Sequence, residues 1–205
     1  MEQGSQEWLD ARLGHVTASR VADVMARTKS GPSTSRANYA TELVLERVLG
    51  KAAEFFVNDA MRRGTELEPI ARECYSFATG YSVVQVGFIL HPTIAYSGAS
   101  PDGLIDDNGL VEIKCCNAAK HLALLKGGEP EDRYVKQSLW QMACTGRQWV
   151  DLTFYNPDFP VEHQMHIVRI ERDDAAIGTM EKEVIDFLRE VAADTEFLTN
   201  RKEAA

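Results

Sequence analysis

The segment that most limits how this chain can fold runs from Gly103 to Lys114 and reads GLIDDNGLVEIK. Within it, Asp107-Asn108-Gly109 is a strong hairpin signal, because Asn and Gly tolerate the positive φ angles of tight turns. The flanking stretches, Leu104-Ile105 and Leu110 to Lys114, are apolar and β-branched, and are expected to pair as antiparallel strands. Alternate residues of a strand share a face. Glu112 and Lys114 therefore point one way, and Val111 and Ile113 the other. The fold-back places Asp102 near Glu112, within one residue of register. Two carboxylates and an ammonium are expected to converge at one end of a strand pair.

Adjacent carboxylates repel one another, which favours a shared proton or a bound divalent cation. With oxygen donors alone, the matching cation is hard, Mg²⁺ or Mn²⁺. A cation there can polarise a phosphate and acidify a bound water, and Lys114 can orient that water or stabilise developing charge. The chemistry implied is metal-assisted phosphodiester hydrolysis. The competing reading is a solvated salt-bridge cluster on a hairpin. The apolar residues crowding Glu112-Ile113-Lys114 weigh against it.

The rest of the chain supplies a scaffold. It has 205 residues, 44% of them hydrophobic, enough for one packed core, so a single domain over 1–205 is expected, with a core at about 8–173. Residues 7–27 read as a short amphipathic entry in which Thr17 or Ser19 could cap a helix, and 29–35 as a loop. Helices are expected at 38–49 and 58–79, the latter kinked or restarted at Pro69 and ended by Gly80. Residues 82–90 read as a strand, 134–145 as a helix, 149–155 and 164–171 as strands, and about 179–198 as the C-terminal helix. This order predicts an α/β (α+β) fold with a mixed β-sheet flanked by helices. No apolar run is long enough for a membrane span, and the opening residues carry no secretory signal. The four cysteines lack metal-type spacing and are read as structural thiols.

The net charge of −9 would disfavour a nucleic-acid partner if it were uniform, but it is not. Residues 12–39 carry +4, whereas 151–205 carry −7. A chain so divided can bind an anion on one face and turn an acidic face outward.

Ser100-Pro101-Asp102-Gly103 followed by Glu112-Ile113-Lys114 resembles the PD…(D/E)xK signature of restriction-endonuclease-like nucleases. More narrowly, an ordered set of blocks resembles the phage lambda exonuclease family of YqaJ-type viral recombinases. The blocks are Trp8-x3-Arg12-Leu13-Gly14-x2-Thr17-Ala18-Ser19, Gly64-x3-Glu68, the two segments just quoted, Gln137 and Gln141, and Tyr155-Asn156-Pro157. The resemblance implies a homotrimeric ring that threads double-stranded DNA ends. It implies processive, Mg²⁺-dependent 5′→3′ exonuclease action that releases 5′-mononucleotides. The 3′ overhangs left behind would pass to a single-strand annealing protein in recombination. A phage- or prophage-encoded protein in the cytoplasm of a bacterial host is implied as well.

Matched residue by residue, the resemblance makes Asp102, Glu112, Glu68 and the Ile113 carbonyl the ligands of a metal site, with two cations per active site. It makes Lys114 the catalytic lysine and Gln137 a helix residue beside it. Arg12, Ser19 and Ser100 match a pocket for a terminal 5′-phosphate, and Lys29 stands where the family has a loop arginine. Met61 falls where an apolar residue wedges the terminal base pair apart, although it reads equally well as a core residue. Trp8, Trp140 and Trp149 are read as core. Two alternatives remain open at this level: an endonuclease on the same fold, and a non-catalytic DNA-end-binding module. The second would be marked by loss of Asp102, Glu112 or Lys114, and all three are present.

Overall fold

The computed structural model describes residues 1–29, 31–52 and 59–203. The side chains of residues 60, 61 and 201–203, including the wedge candidate Met61, lie outside the described residues. In chain order the elements are α1 (Gln6–Arg12), β1 (Val16–Thr17), a 3₁₀ turn (Ala18–Arg20), α2 (Val21–Met25), β2 (Arg27–Thr28), β3 (Gly31–Pro32), α3 (Thr34–Leu49) and α4 (Asp59–Thr79). There follow β4 (Val83–Val84), β5 (Ile89–Leu90), β6 (Ser97–Ala99), β7 (Gly103–Ile105), β8 (Gly109–Cys115), α5 (Ala118–Leu125) and α6 (Asp132–Thr145). The chain closes with β9 (Trp149–Tyr155), a second 3₁₀ turn (Val161–His163), β10 (Met165–Glu171) and α7 (Asp174–Glu203).

A five-stranded sheet in the order β10-β9-β8-β7-β4 forms the centre. The Asn108-Gly109 hairpin forms as expected, with Gly103 opposite Val111 and Ile105 opposite Gly109. Beyond it, β8 and β9 run parallel, from Gly109 opposite Trp149 to Cys115 opposite Tyr155, joined by the α5–α6 crossover. A second sheet, β1-β6-β5, carries a parallel pairing of Val16 with Ser97 and Thr17 with Gly98.

One sheet face packs against α2, α3, α6 and α7 around Trp140, Tyr39, Phe187 and Val191. The other packs against α4, where Ala71 and Tyr75 meet Val111, Ile113 and Tyr155. Strand β8 is therefore covered on both faces, which accounts for its nearly continuous apolar character. Helix ends follow local chemistry. Ser33 Oγ accepts from Arg36 N at the start of α3, and Gly50, at φ 65°, closes it in the left-handed region.

Five expectations change. Residues 82–90 do not form one strand: β4 pairs with β7, whereas β5 pairs with β6 in the other sheet. Between them the Val86 carbonyl accepts from the Gln3 side chain instead of a ladder partner. Thr17 and Ser19 do not cap a helix, since their hydroxyls bond each other at 3.3 Å. The 29–35 loop contributes β3 and the Ser33 cap, and its tip joins the β2–β3 hairpin. Helix α4 runs through Pro69 as one element. Trp140 is fully buried, but Trp8 and Trp149 are only half-buried, each beneath an arginine.

Candidate active site

The β7–β8 register brings Asp102 opposite Glu112, with Asp102 in the turn entering β7 and Glu112 inside the sheet. Both are buried, at 9% and 2% exposure. Asp102 Oδ2 accepts from the Ile113 amide at 2.6 Å. Glu112 Oε1 accepts from Lys114 Nζ and from Gln137 Nε2, each at 2.5 Å, and its Oε2 accepts from Gln141 Nε2 at 2.5 Å. The two glutamines lie one turn apart on α6, so a single helix face grips both carboxylate oxygens. Glu68 projects from α4 and is ion-paired with Arg72.

Electrostatics tie these groups together. Burial drives the Asp102 carboxyl well above the usual carboxylate range, and the charges of Glu112 and Glu68 push it further. Burial also raises Glu68, Arg72 opposes that shift, and Glu112 reinforces it. Burial works against the Lys114 ammonium, but Glu112 and Asp102 outweigh it, and its pKa lies above the ordinary lysine value. Three carboxylates thus share one partly buried ammonium and one arginine, leaving negative charge in excess.

Does this centre suit a divalent cation? Among the described residues no three His, Cys, Asp or Glu side chains are gathered into a ready-made metal cage. Each carboxylate is instead engaged by a protein donor. The donor chemistry nonetheless fits, with oxygens only and a negative excess that a cation relieves. Gln141 Oε1 is also buried there without a donor, and a hydrated cation brings donors.

A second cluster lies beside this centre. Arg12 ends α1 with its guanidinium 4.0 Å from the centroid of the Trp8 ring. Its Nη1 donates to Ser100 Oγ at 3.3 Å, and Trp8 Nε1 donates to the same oxygen at 2.9 Å. Asp10, a conceivable partner for Arg12, instead accepts from Gln6. Among the described residues no carboxylate lies within ion-pair distance of Arg12 (contrast Arg20, held by Asp23 and Glu42). Burial lowers the Arg12 pKa while Tyr39 and Glu46 oppose the shift, so this is a cation partly stripped of water.

Arg12, Thr17, Ser19 and Tyr39 line a cavity of about 520 Å³. Ser100 links the two clusters, standing two residues before Asp102. Lys29 does not join them: it is exposed at the tip of the β2–β3 hairpin and does not line the cavity. Met61 is carried on α4. Gln141 and Trp8 enter the sequence reading only as members of the family blocks, without a role, and Trp8 is read there as core. The geometry gives each a contact, Gln141 with Glu112 Oε2 and Trp8 with Ser100 Oγ.

The loop leading into Ser100 rests on His91, which is buried and stacked on Trp140 of α6 with ring centroids 5.1 Å apart. His91 Nδ1 accepts from the amides of Thr93 and Ile94, and Nε2 lies 3.3 Å from Glu181 of α7. Nδ1 can accept only from a neutral ring. Burial lowers the His91 pKa, and Glu181 only partly opposes it. A depressed histidine pKa stabilises the fold above the unfolded value of about 6.5, and that contribution is lost as pH falls below it. The Tm of His91→Leu should therefore lie below wild type at pH 7.5, with the gap narrowing by pH 5.5. Parallel Tm curves across this range would refute the arrangement.

Comparison with known proteins places this architecture. The model of the YqaJ-like viral recombinase domain matches residues 7–148. No curated protein gives a significant match. Among solved structures, the chain is similar to an alkaline exonuclease from Laribacter hongkongensis, at 51% identity and a TM-score of 0.91, covering 98% of this chain and 99% of that one. The same figures hold for that exonuclease in complex with dAMP. A phage-related exonuclease from Haemophilus somnus shares the fold at 14% identity and a TM-score of 0.68, over 91% of this chain and 96% of its own. The mixed sheet between helices is thus a restriction-endonuclease-like fold. The family match begins one residue before Trp8 and runs past Gln141, taking in every residue of both clusters, and the chain belongs to the YqaJ-like viral recombinase domain family.

Proposed function

We propose that this protein is a Mg²⁺-dependent exonuclease that enters at double-stranded DNA ends. On this reading it degrades one strand 5′→3′ to 5′-mononucleotides and leaves 3′ overhangs for a single-strand annealing protein. The observation that carries it is the adjacency of two clusters: buried Asp102 and Glu112 with the partly buried Lys114, and Arg12, which bonds Ser100 and lines a cavity. The 51% identity to an alkaline exonuclease over nearly the whole chain supports the same reaction class.

Asp102, Glu112, Glu68 and the Ile113 carbonyl would hold the cations, Mg²⁺ or Mn²⁺ and two per site. When bound, they supply phosphate polarisation and an acidified water. Lys114 keeps its proton at Nζ and faces the charge that develops on the phosphate. Gln137 and Gln141 fix both oxygens of Glu112. Arg12 offers a planar fork of donors for a terminal 5′-phosphate, with Ser100 and Ser19 adding hydroxyls. Recognising a phosphate instead of base edges suits digestion of any sequence.

The proposal includes assembly as a homotrimeric ring with the acidic α7 side outward, and action in the cytoplasm of a phage-bearing bacterial cell. Among the described residues no helix is long and apolar enough to cross a membrane.

The test is digestion of matched linear and closed-circular duplexes in Mg²⁺ and in EDTA, with 5′-phosphate or 5′-hydroxyl ends on the linear form. Loss of the linear, phosphorylated substrate alone, and only in Mg²⁺, is expected. Cleavage of the circle would replace the proposal with an endonuclease, and end binding without cleavage would replace it with a binding module. In the same assay Arg12→Ala should lose the preference for the phosphorylated end, by about tenfold or more for a charged hydrogen bond of about 1.5–3 kcal/mol. A preference that survives the substitution would refute the assigned pocket.

A further inference from the structure

Resting on that reading, the structure assigns a second phosphate seat, made by Lys120, Arg133 and the Tyr134 hydroxyl, for a DNA backbone phosphate neighbouring the scissile one. Glu131 occupies this seat as an internal stand-in that DNA displaces.

The seat is built at the α5–α6 junction. Asn117 caps α5 by accepting from the Lys120 amide at 2.9 Å, which fixes where the Lys120 side chain departs. Tyr134, in the first turn of α6, packs edge-on against Phe154 of β9, with centroids 6.2 Å apart. Its ring then collects cations: Lys120 Nζ at 4.4 Å, the Arg133 guanidinium at 4.7 Å and Lys114 Nζ at 5.1 Å. The phenol oxygen accepts from Lys120 Nζ at 3.2 Å and from Arg133 Nη2 at 3.0 Å. Lys114 and the new pair therefore share one aromatic side chain, and the seat lies one ring away from the proposed catalytic lysine.

Glu131 shows what the seat accepts. One carboxylate oxygen pairs with Lys120 Nζ, and the other lies 2.6 Å from Arg133 Nε. Two cations gripping two oxygens of one anion is the arrangement a phosphate also satisfies. Glu131 is a weakly held occupant. It stands at the N-cap of α6 but makes no side-chain capping bond, and it is about half exposed. Swinging its carboxylate away costs little, because an exposed ion pair contributes at most about 1 kcal/mol. The phosphate that replaces it gains a seat next to the reacting group.

The experiment measures equilibrium binding of a short 5′-phosphorylated duplex in Mg²⁺ over a range of salt, with Asp102→Asn as the common background to prevent cleavage. Adding Lys120→Ala and Arg133→Gln should weaken binding about tenfold and flatten the log–log salt slope by about 1, the share of the one phosphate that loses its seat. Glu131→Gln should act in the opposite direction and tighten binding about threefold or more, because it removes the two exposed ion pairs that compete with the phosphate. Thermal melts of each protein separate binding from folding. If Glu131→Gln weakens binding alongside the double variant, or if the salt slope is unchanged, the cluster is a clamp between α5 and α6 and the seat is refuted. If the background protein binds no duplex, the nuclease reading fails and takes the seat with it.

Discussion

Asp102→Asn should melt at a higher temperature than the wild type at neutral pH while losing about 10³-fold in nuclease activity. The gain arises because Asp102 is buried beside Glu112 and Glu68, and the amide removes one of three crowded charges. The bond from the Ile113 amide survives, since the asparagine carbonyl oxygen can accept it as Oδ2 does now. The loss arises because the amide is a poorer cation ligand. The several kcal/mol a cation contributes to the transition state convert to about three decades of rate.

The pH dependence has a defined sign. Asp102 has a folded pKa above its unfolded value of about 3.9, so its ionisation costs stability above the folded pKa and costs nothing below the unfolded one. The thermal advantage of the variant should fade as pH falls toward 4. Mg²⁺ should close the gap from the other side by stabilising the wild type more than the variant. Equal Mg²⁺ shifts in both proteins would show that Asp102 is not a ligand.

Arg169→Met should cost about 1–3 kcal/mol, less than a fully buried pair would, because the Arg169 side chain is 40% exposed and water screens part of the interaction. Asp151 lies at 3% exposure in β9 and accepts from Arg169 Nε and Nη2 at 2.8 and 2.9 Å, and from the Tyr75 hydroxyl at 2.6 Å. The methionine preserves most of the apolar stem yet leaves Asp151 as a buried charge without its cation, the situation in which breaking a pair is most damaging. For a domain of this size each kcal/mol corresponds to about 2–4 °C in Tm. Arg169→Met with Asp151→Asn should recover part of the loss, because the double change removes the stranded charge. Denaturant unfolding of the single and double variants measures this directly, and a single-variant loss below about 0.5 kcal/mol would mean that the Arg169–Asp151 pair does not hold β9 to β10.

What was legible in the sequence was local. The hairpin at Asn108-Gly109 fixes the relation of Asp102, Glu112 and Lys114 within a dozen residues, and turn chemistry with strand alternation sufficed to read it. The run 82–90 was misread because both halves have strand composition, and only the partners, β7 for one and β6 for the other, decide that they belong to different sheets. Strands β1 and β6 are two and three residues long, too short for periodicity to register. The meeting of Arg12 with Ser100 spans 88 residues and follows from no spacing rule. The family resemblance implies that meeting, and the fold brings the two side chains into hydrogen-bond contact. The resemblance also puts Lys29 with the pocket, and within the single chain Lys29 is exposed beside β2 and is not among the residues that line the cavity.

The parallel ladder of β1 and β6 gives the molecule a ruler. Val16 and Thr17 follow Arg12 by a few residues, and Ser97 and Gly98 precede Asp102 by as few. On the proposed function, the spacing between the seat for a strand's end and the catalytic centre would therefore be set by backbone hydrogen bonds, independent of the DNA. A slip of one residue in that ladder would change the spacing by about 3.3 Å. The increment that such an enzyme would remove at each turnover would then be a property of strand register, written into the protein before any substrate arrives.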